Sequence, residues 1–172
     1  MRSNTAAIGS TRRWRWLLPA VALLLGSSCG FHLQGRITLP KSLATVELDA
    51  VDPQSDFTHG LRAALESSGT TLLESPGSAD SATLRILEDS ASEMLLSVNA
   101  LNVPTSYRIT YAVKFTVSVG GKELISAEEH KLIRDYTFDE ATLLAKQHEH
   151  DVLSAALAQE LVDVVMRRLA SL

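Results

Sequence analysis

The sequence predicts an α+β domain of two layers, in which two helices pack on one face of a mainly antiparallel, four-stranded sheet. The clearest observation is the stretch 105–119, where apolar residues occupy every second position, as expected for a strand with one buried face. Gly120-Gly121 follows and predicts a tight hairpin into a further strand. Two stretches with apolar residues at helical spacing flank the strands. Such helices bury their apolar stripe against a sheet, which gives the two-layer class.

Composition and charge limit the number of domains and the class of partner. The chain has 172 residues and a net charge of -4, but its first 28 residues carry four arginines and no acid. The other 144 residues therefore hold 12 basic and 20 acidic side chains. A chain of this size forms one domain with one core. Because phosphate contacts need clustered Lys and Arg, a general nucleic-acid binder is excluded.

Residues 1–28 are typical of a cleaved signal peptide. A basic stretch ending at Arg15 precedes an apolar run from Trp16 to Leu25, and the small residues Gly26-Ser27-Ser28 follow. The apolar run is about ten residues long, roughly half the length that a membrane-spanning helix needs. We therefore expect the segment to direct export and to be removed.

Cys29 is the predicted lipidation site. It is the only cysteine, so an intramolecular disulfide is impossible, and a free thiol is a liability in an oxidising compartment. Small residues before a lone cysteine resemble the lipobox of bacterial lipoproteins, in which the thiol receives diacylglycerol and the chain is cut before the cysteine. Gly26 departs from that pattern, which usually has Leu at this place. A buried or spare thiol is the alternative interpretation of Cys29.

The residues around the cysteine also bear on export and destination. In such lipoproteins an Asp after the cysteine commonly signals retention in the inner membrane, so Gly30 indicates sorting to the outer membrane. The pair Arg12-Arg13 leaves twin-arginine export open. Residues 29–42 contain Gly30, Gly35 and Pro40 and show little periodicity, which predicts a lipidated tether.

A single domain is expected over residues 43–172. Ala44–Leu48 is predicted to be its first strand, followed by a turn at 49–53. Ser55 is placed to cap the first helix and Gly69 to end it. The predicted buried stripe of this helix consists of Phe57, Leu61, Ala64 and Leu65.

The remaining strands are predicted between the two helices. Thr70–Leu73 is a possible short strand outside the count of four, and a loop at Glu74–Ser81 follows it. The next strand has polar residues in its middle, which predicts a bend or bulge. Its apolar residues of one parity are Leu84, Ile86, Met94, Leu96 and Val98. After the strand at 105–119, Lys122–Tyr136 is its hairpin partner.

A long helix is predicted to end the chain. Thr137 or Asp139 can cap it, and it runs to Leu172 with Arg167-Arg168 near its C-terminus, where cations suit the helix dipole. Its apolar stripe contains Leu153, Leu157, Leu161, Val164 and Val165.

The sequence contains no catalytic motif. A nucleophile elbow, a P-loop, a dinucleotide-binding fingerprint and a CxxC pair are all missing. His148 and His150 invite a metal interpretation, but residues i and i+2 point roughly 200° apart on a helix. Glu128 and Glu129 point to opposite faces of a strand, so they are not a paired acid and base. We expect no enzyme, no metal and no cofactor beyond the lipid on Cys29.

Several short segments together resemble the LptE family of outer-membrane lipoproteins. Cys29-Gly-Phe-His-Leu33 is similar to the opening of the mature chain in that family. Val46–Pro53, Ser106-Tyr107 at the start of the long strand, and Leu144-Ala145-Lys146 before the last helix are also similar in type, order and spacing. Each motif is short, so the resemblance depends on their collinearity along the mature chain.

The resemblance implies a fold and a function. The implied fold has two helices against a four-stranded sheet. Proteins of the LptE family sit as a plug inside the LptD β-barrel, help it fold, and contact lipopolysaccharide on its way to the outer leaflet. The chain is therefore expected at the outer membrane, lipid-anchored, on its periplasmic side and in the barrel lumen. Its expected partners are LptD, lipopolysaccharide and the membrane.

The resemblance also implies basic residues for lipopolysaccharide contact. Lys146 matches the Leu-Ala-Lys segment, and we expect Arg108 and Lys114, on the polar face of the long strand, to add cations. A plain solvated strand surface is the alternative interpretation of that face. The tip at Ser97–Val103 departs from the family because it has no basic residue, so Leu101 and Val103 are expected to meet the barrel wall or acyl chains.

A different class of function stays open. The chain would then be a periplasm-facing lipoprotein that binds a small apolar ligand independently of any barrel. An apolar cavity between sheet and helices would favour this alternative, whereas a filled core and a large β-barrel partner would favour the plug.

The first prediction concerns the anchor. Cys29→Ala should leave a longer precursor without lipid, because acylation at this thiol precedes removal of the signal peptide. Mass spectrometry of the mature N-terminus is the measurement. A wild-type chain that begins at another residue, or that carries an unmodified thiol, would contradict the assignment.

Overall fold

The computed structural model describes residues 37–73, 81–137 and 143–172, with side chains in the last range described from Glu149 onward. A short 3-10 turn, Lys41–Leu43, leads into seven elements. In chain order they are β1 (Thr45–Ala50), α1 (Asp56–Ser67), β2 (Thr71–Leu73), β3 (Ala82–Val98), β4 (Pro104–Val119), β5 (Lys122–Thr137) and α2 (Leu143–Ala170). The predicted α+β class is confirmed.

The sheet has five strands rather than the four predicted, in the order β2-β1-β3-β4-β5. The fifth strand is β2, which the sequence marked only as a possible strand. β2 has three residues and pairs in parallel with β1 from Thr45↔Thr71 to Glu47↔Leu73. β1 also pairs in parallel with β3, so the sheet is mixed, and only β3, β4 and β5 are antiparallel. Parallel pairing of a three-residue segment is long-range and leaves no periodic signal.

The first helix and the hairpin have the predicted turn chemistry. The Thr58 N–H donates to the Ser55 Oγ at 3.0 Å, so Ser55 is the cap of α1. Gly69 has a φ of 92°, and Gly120 and Gly121 have φ values of 56° and 77°. Each of these backbone positions lies in the left-handed region that glycine adopts without a steric cost. The predicted end of α1 and the β4–β5 turn are confirmed.

The predicted caps of the last helix need one correction. Thr137 is the final residue of β5 and pairs with Ser106, so it is strand and not a helix cap. Asp139 lies outside the described residues. The described helix begins at Leu143 and continues through His148–His150 to Ala170.

Both helices cover one face of the sheet with a single apolar core. Alternate side chains of β4 supply its centre: Tyr107, Ile109, Tyr111, Val113, Phe115 and Val117. The buried apolar residues of α1 are Phe57, Leu61 and Leu65, and those of α2 run from Leu157 to Leu169. The predicted parity of β4 is therefore confirmed. The helices approach closely at Gly60, where an added Cβ would lie 3.1 Å from the Gln159 Oε1 and the Val162 Cγ2.

A bulge in β3 confirms the predicted bend but changes the predicted faces. Ile86 is opposite Phe115 and Glu88 is opposite Lys114, so Leu87 is an extra residue. From Glu88 to Leu95 each residue moves to the other face, and further register shifts follow between Leu95 and Val98. Met94 is thus opposite Arg108 on the polar face, and its predicted alignment with Leu84 and Ile86 is wrong.

Packing begins before residue 43. Ile37 and Leu39 are partly buried against the core, although they lie in the range predicted to be a tether. Leu43 itself is 1% exposed. The chain therefore enters the domain beside the first strand, already in contact with the core.

The second prediction uses two neighbouring residues of β4. Phe115→Asp should abolish cooperative melting, because an unpaired carboxylate in a fully buried site costs several kcal/mol against a total stability of about 5–15 kcal/mol. Thr116→Asp, one residue further on, faces the other side opposite Arg85 and should melt like the wild type. Thermal unfolding followed by circular dichroism is the measurement. Equal loss in both variants would show that β4 is buried on both faces.

Candidate functional site

The polar face of β4 belongs to a broad surface on the side of the sheet without helices. We call it the open face. It is formed by Ser106, Arg108, Thr110, Ala112, Lys114, Thr116 and Ser118 of β4, with their neighbours on β3 and β5. All of these β4 residues except Ala112 are partly exposed. The face therefore presents small and hydroxyl side chains with a few charges, and two of the predicted ligand residues lie on it.

Arg108 is held by an acid on the neighbouring strand. Its Nε and Nη2 donate to the two carboxylate oxygens of Asp135 at 2.7 and 2.8 Å. This bidentate hydrogen bond lowers the pKa of Asp135 and raises the pKa of Arg108. An external phosphate would have to compete with Asp135 for the guanidinium. Arg108 is therefore a cation with a built-in counter-ion.

Lys114 lies between two acids. Its cross-strand neighbours are Glu88 on β3 and Glu129 on β5. The Lys131 Nζ is 2.7 Å from the Glu129 Oε1, and this hydrogen bond, with a smaller effect of Lys114, lowers the pKa of Glu129. At the other end of the face, the Arg85 Nε is 2.7 Å from the Asp49 Oδ2. The described cations of this face thus alternate with acids.

The other predicted site residues are not part of this geometry. Cys29 and Gly30 lie outside the described residues. Lys146 lies in the first turn of α2 as the structure describes it, and its side chain is outside the described part. The structure thus brings Arg108 and Lys114 onto one face, and the roles of Cys29, Gly30 and Lys146 stay predictions.

Two carboxylates on the helix-covered side of β3 were missed by sequence reasoning. Asp89 accepts hydrogen bonds from Tyr111 at 2.7 Å and from the cap residue Ser55. Burial, helped by this hydrogen bond, raises the pKa of the Tyr111 hydroxyl. Asp89 thereby fixes the start of α1 against β4. The bulge at Leu87 turns Asp89 to this side. The exact position of the bulge could not be read from the sequence, which is why Asp89 was missed.

Glu93 forms the second of these contacts. The Tyr136 hydroxyl donates to the Glu93 Oε2 at 2.5 Å, and the His150 Nδ1 is 3.0 Å from the same oxygen. Burial, with the hydrogen bond to Glu93, raises the pKa of Tyr136. Glu93 thus joins β3 and β5 to α2 at His150. The contact of the His150 ring with Glu93 gives this histidine a role in holding α2 to the sheet.

No metal-binding cluster and no membrane-spanning helix is found in the part of the chain that the structure describes. No three His, Cys, Asp or Glu residues there are grouped so that they could hold a metal ion. None of the helices in these ranges combines the length and apolarity needed to cross a membrane.

An open pocket of about 450 Å³ lies near the end of β5, lined by Leu96, Ser106, Asp135, Tyr136, Thr137 and Glu149.

The arrangement offers binding surfaces, and comparison with known proteins gives their context. Residues 43–169 match the model of the LptE family, described as lipopolysaccharide-assembly. The chain belongs to the LptE family. This is a non-enzymatic family, so the expectation that the chain is not an enzyme is confirmed, and so is the resemblance to LptE.

Individual relatives agree with the family model. The LPS-assembly lipoprotein LptE of Yersinia enterocolitica is 27% identical over 153 residues, which cover 89% of this chain and 73% of the relative. The LptE lipoprotein of Pectobacterium atrosepticum is 24% identical over 156 residues, which cover 91% of this chain and 84% of the relative.

Solved structures share the fold. Rare lipoprotein B from Shewanella oneidensis superposes with a TM-score of 0.67 at 26% identity, covering 74% of this chain and 94% of that one. Lipoprotein B from Nitrosomonas europaea gives a TM-score of 0.65 at 21% identity, covering 83% of this chain and 91% of that one, and shows the fold alone.

The third prediction tests the counter-ion of Arg108. Arg108→Gln should raise the pKa of Asp135 toward its ordinary value of about 3.9, because the hydrogen bond that favours the carboxylate is lost. The pair stabilises the fold above that ordinary value, and its contribution disappears as the pH falls through the lower folded-state pKa. Carboxyl carbon NMR titration of Asp135 is the measurement. Lys114→Gln, about 20 Å away along β4, is the control and should leave this pKa unchanged. An unshifted Asp135 in Arg108→Gln would show that the two groups do not interact in solution.

Proposed function

We propose that the chain is an outer-membrane lipoprotein, anchored through Cys29, that assembles with the LptD β-barrel as its plug and assists lipopolysaccharide insertion into the outer leaflet. The observation that carries the proposal is the match to the LptE family over nearly the whole described domain. Relatives across 89% and 91% of the chain bear the name LPS-assembly lipoprotein. A role in lipopolysaccharide assembly follows from the family, and the barrel and the anchor are the proposed details.

The open face supports the plug. The lumen of a membrane β-barrel is polar, so a plug needs a surface that makes many polar contacts without carrying a large net charge. Hydroxyl groups dominate the β4 part of the open face, and its cations Arg108 and Lys114 have acids beside them. Such a face is suited to many weak contacts with a polar wall. It supplies the large, partly polar interface that a stable plug requires.

The same face and the start of α2 supply the proposed lipopolysaccharide contacts. Lys146 lies in a segment that matches the family motif, and Arg108 and Lys114 are partly exposed. For Arg108 the contact with a lipid phosphate involves exchange of Asp135 for the phosphate. Recognition by these residues is therefore proposed as competitive with internal ion pairs, and weaker than recognition by an unpaired arginine.

The core gives no support to the small-ligand alternative. Buried apolar side chains from β1, β3, β4, β5 and both helices fill the space between the layers, and Leu72 of β2 is partly buried against them. The pocket near the end of β5 is open and has Asp135 and Glu149 among its lining residues, which does not suit an apolar ligand.

The fourth prediction tests the barrel partner. A tagged full chain, isolated from detergent-solubilised outer membrane, should bring down LptD in a one-to-one ratio. The folded control Thr116→Asp should do the same, whereas Phe115→Asp, which is expected not to fold, should lose the barrel. Quantitative mass spectrometry of the eluate is the measurement, and single open-face changes should matter little in an extensive interface.

Depletion of the chain provides the cellular arm of the same test. Mature LptD should fall several-fold, and cells should become sensitive to large hydrophobic antibiotics. Unchanged barrel levels with unchanged surface lipopolysaccharide would remove the plug proposal. They would leave family membership intact.

A further inference from the structure

The carboxylate of Glu93 ties α2 to the far half of the sheet. The Tyr136 hydroxyl and the His150 Nδ1 lie 2.5 and 3.0 Å from the same oxygen of this carboxylate. Because a carboxylate oxygen only accepts hydrogen bonds, both neighbours are donors, and the His150 Nδ1 carries a hydrogen. The side chains of His150 and Glu93 are 32% and 24% exposed, so the contact is partly shielded from water. Hydrogen bonds to a charged acceptor are also stronger than those between neutral groups.

This contact lies where apolar packing gives α2 little support. Of the side chains of α2 that the structure describes, those from Glu149 onward, His150 is the earliest with a hydrogen bond to the sheet. Leu153 is only partly buried against the core, and fully buried residues of α2 begin at Leu157. The close approach of α1 lies further on still, at Gln159. The bond between Glu93 and His150 is therefore important for the position of the helix before Leu153.

The predicted ligand residue Lys146 lies one helical turn before His150. Both residues belong to α2, and four residues of an α-helix span about 6 Å. Positions i and i+4 lie on the same side of a helix. A contact that fixes His150 against the sheet therefore also fixes the turn that carries Lys146. The open pocket near the end of β5 has Glu149 among its lining residues, so there is free space beside this part of α2.

We propose that Glu93 is a positioning residue for lipopolysaccharide recognition, which holds the Lys146 turn of α2 in place through His150. This role rests on the proposed lipopolysaccharide contact of Lys146. Only molecules whose helix is already in the binding arrangement are available to the ligand, so a loosened helix lowers the apparent affinity. The negative charge of Glu93 would repel a lipid phosphate. Its chemistry therefore suits positioning of a cation and not direct contact with the ligand.

The test compares two acids that each join α2 to the sheet. Glu93→Gln keeps the shape of the side chain and removes the charge that binds His150. The matched control is Glu160→Gln, because the Glu160 Oε1 is 2.7 Å from the Arg134 Nη2 of β5, but lies ten residues further along α2 than His150. Binding of purified lipopolysaccharide to the full chain in detergent micelles is measured by biolayer interferometry. Hydrogen–deuterium exchange of residues 143–152 reports the order of the helix.

Glu93→Gln should weaken lipopolysaccharide binding about three- to tenfold, as expected when the fraction of correctly placed helix falls by that factor. Exchange over residues 143–152 should become faster in this variant, because local opening of the helix becomes easier, and should stay slow over 157–169. Glu160→Gln should bind lipopolysaccharide like the wild type. Unchanged or tighter binding by Glu93→Gln, or an equal loss in both variants, would overturn the proposal.

A double-mutant cycle with Lys146→Gln separates positioning from general destabilisation. Lys146→Gln alone should weaken binding, and Glu93→Gln should add no further loss in that background, because there is no longer a cation to position. A further loss of the same factor would show that Glu93 acts elsewhere and would overturn the proposal. Unchanged binding by Lys146→Gln would remove the proposed ligand role of Lys146 and the positioning role with it. A loss in Lys146→Gln without a loss in Glu93→Gln would remove the positioning role alone.

Discussion

The central strand β4 is the constraint on which the rest of the structure depends. It pairs with β3 and β5 along nearly its whole length, so its backbone groups are satisfied on both edges. One parity of its side chains lies under both helices, and the other parity forms the open face. Because the side-chain period of a strand is two, a slip of one residue would bury Arg108 and Lys114 and expose Ile109 and Phe115. The position of the open face is therefore a consequence of how the core packs.

The bulge at Leu87 links this constraint to the helices. Without the extra residue, the distal half of β3 would keep the parity of Leu84 and Ile86. With it, Asp89 reaches the start of α1 and Tyr111, and Glu93 reaches Tyr136 and His150. Each acid is matched by a tyrosine hydroxyl, which reduces the cost of placing a carboxylate partly inside the protein. One local irregularity thus ties the start of α1, and α2 at His150, to the sheet.

The sequence was informative wherever structure is decided locally. The alternation of β4, the cap residue Ser55 and the glycine turns depend on neighbouring residues, and all three were predictable. The short strand β2 depends on parallel pairing with β1, and the location of the bulge depends on how β3 and β4 align. Neither leaves a pattern in the sequence, and so the strand count and the face of Met94 were wrong. Arg108 and Lys114 were predicted on the correct face of β4. Their acidic neighbours could not be predicted, because these depend on how β3 and β5 align with β4.

The distribution of charge along the hairpin separates two kinds of surface. The body of the open face places an acid beside Arg85, Arg108 and Lys114, so it is polar without a strong net field. The tip of the β3–β4 hairpin, residues 97–103, lies at the far end of β3, about 50 Å from Ala82, and has neither sign of charge. A balanced polar face suits many weak polar contacts, whereas the exposed apolar side chains of the tip gain most from contacts that remove them from water. Because both surfaces lie on the same pair of strands, the distance between them follows from the length over which β3 and β4 pair.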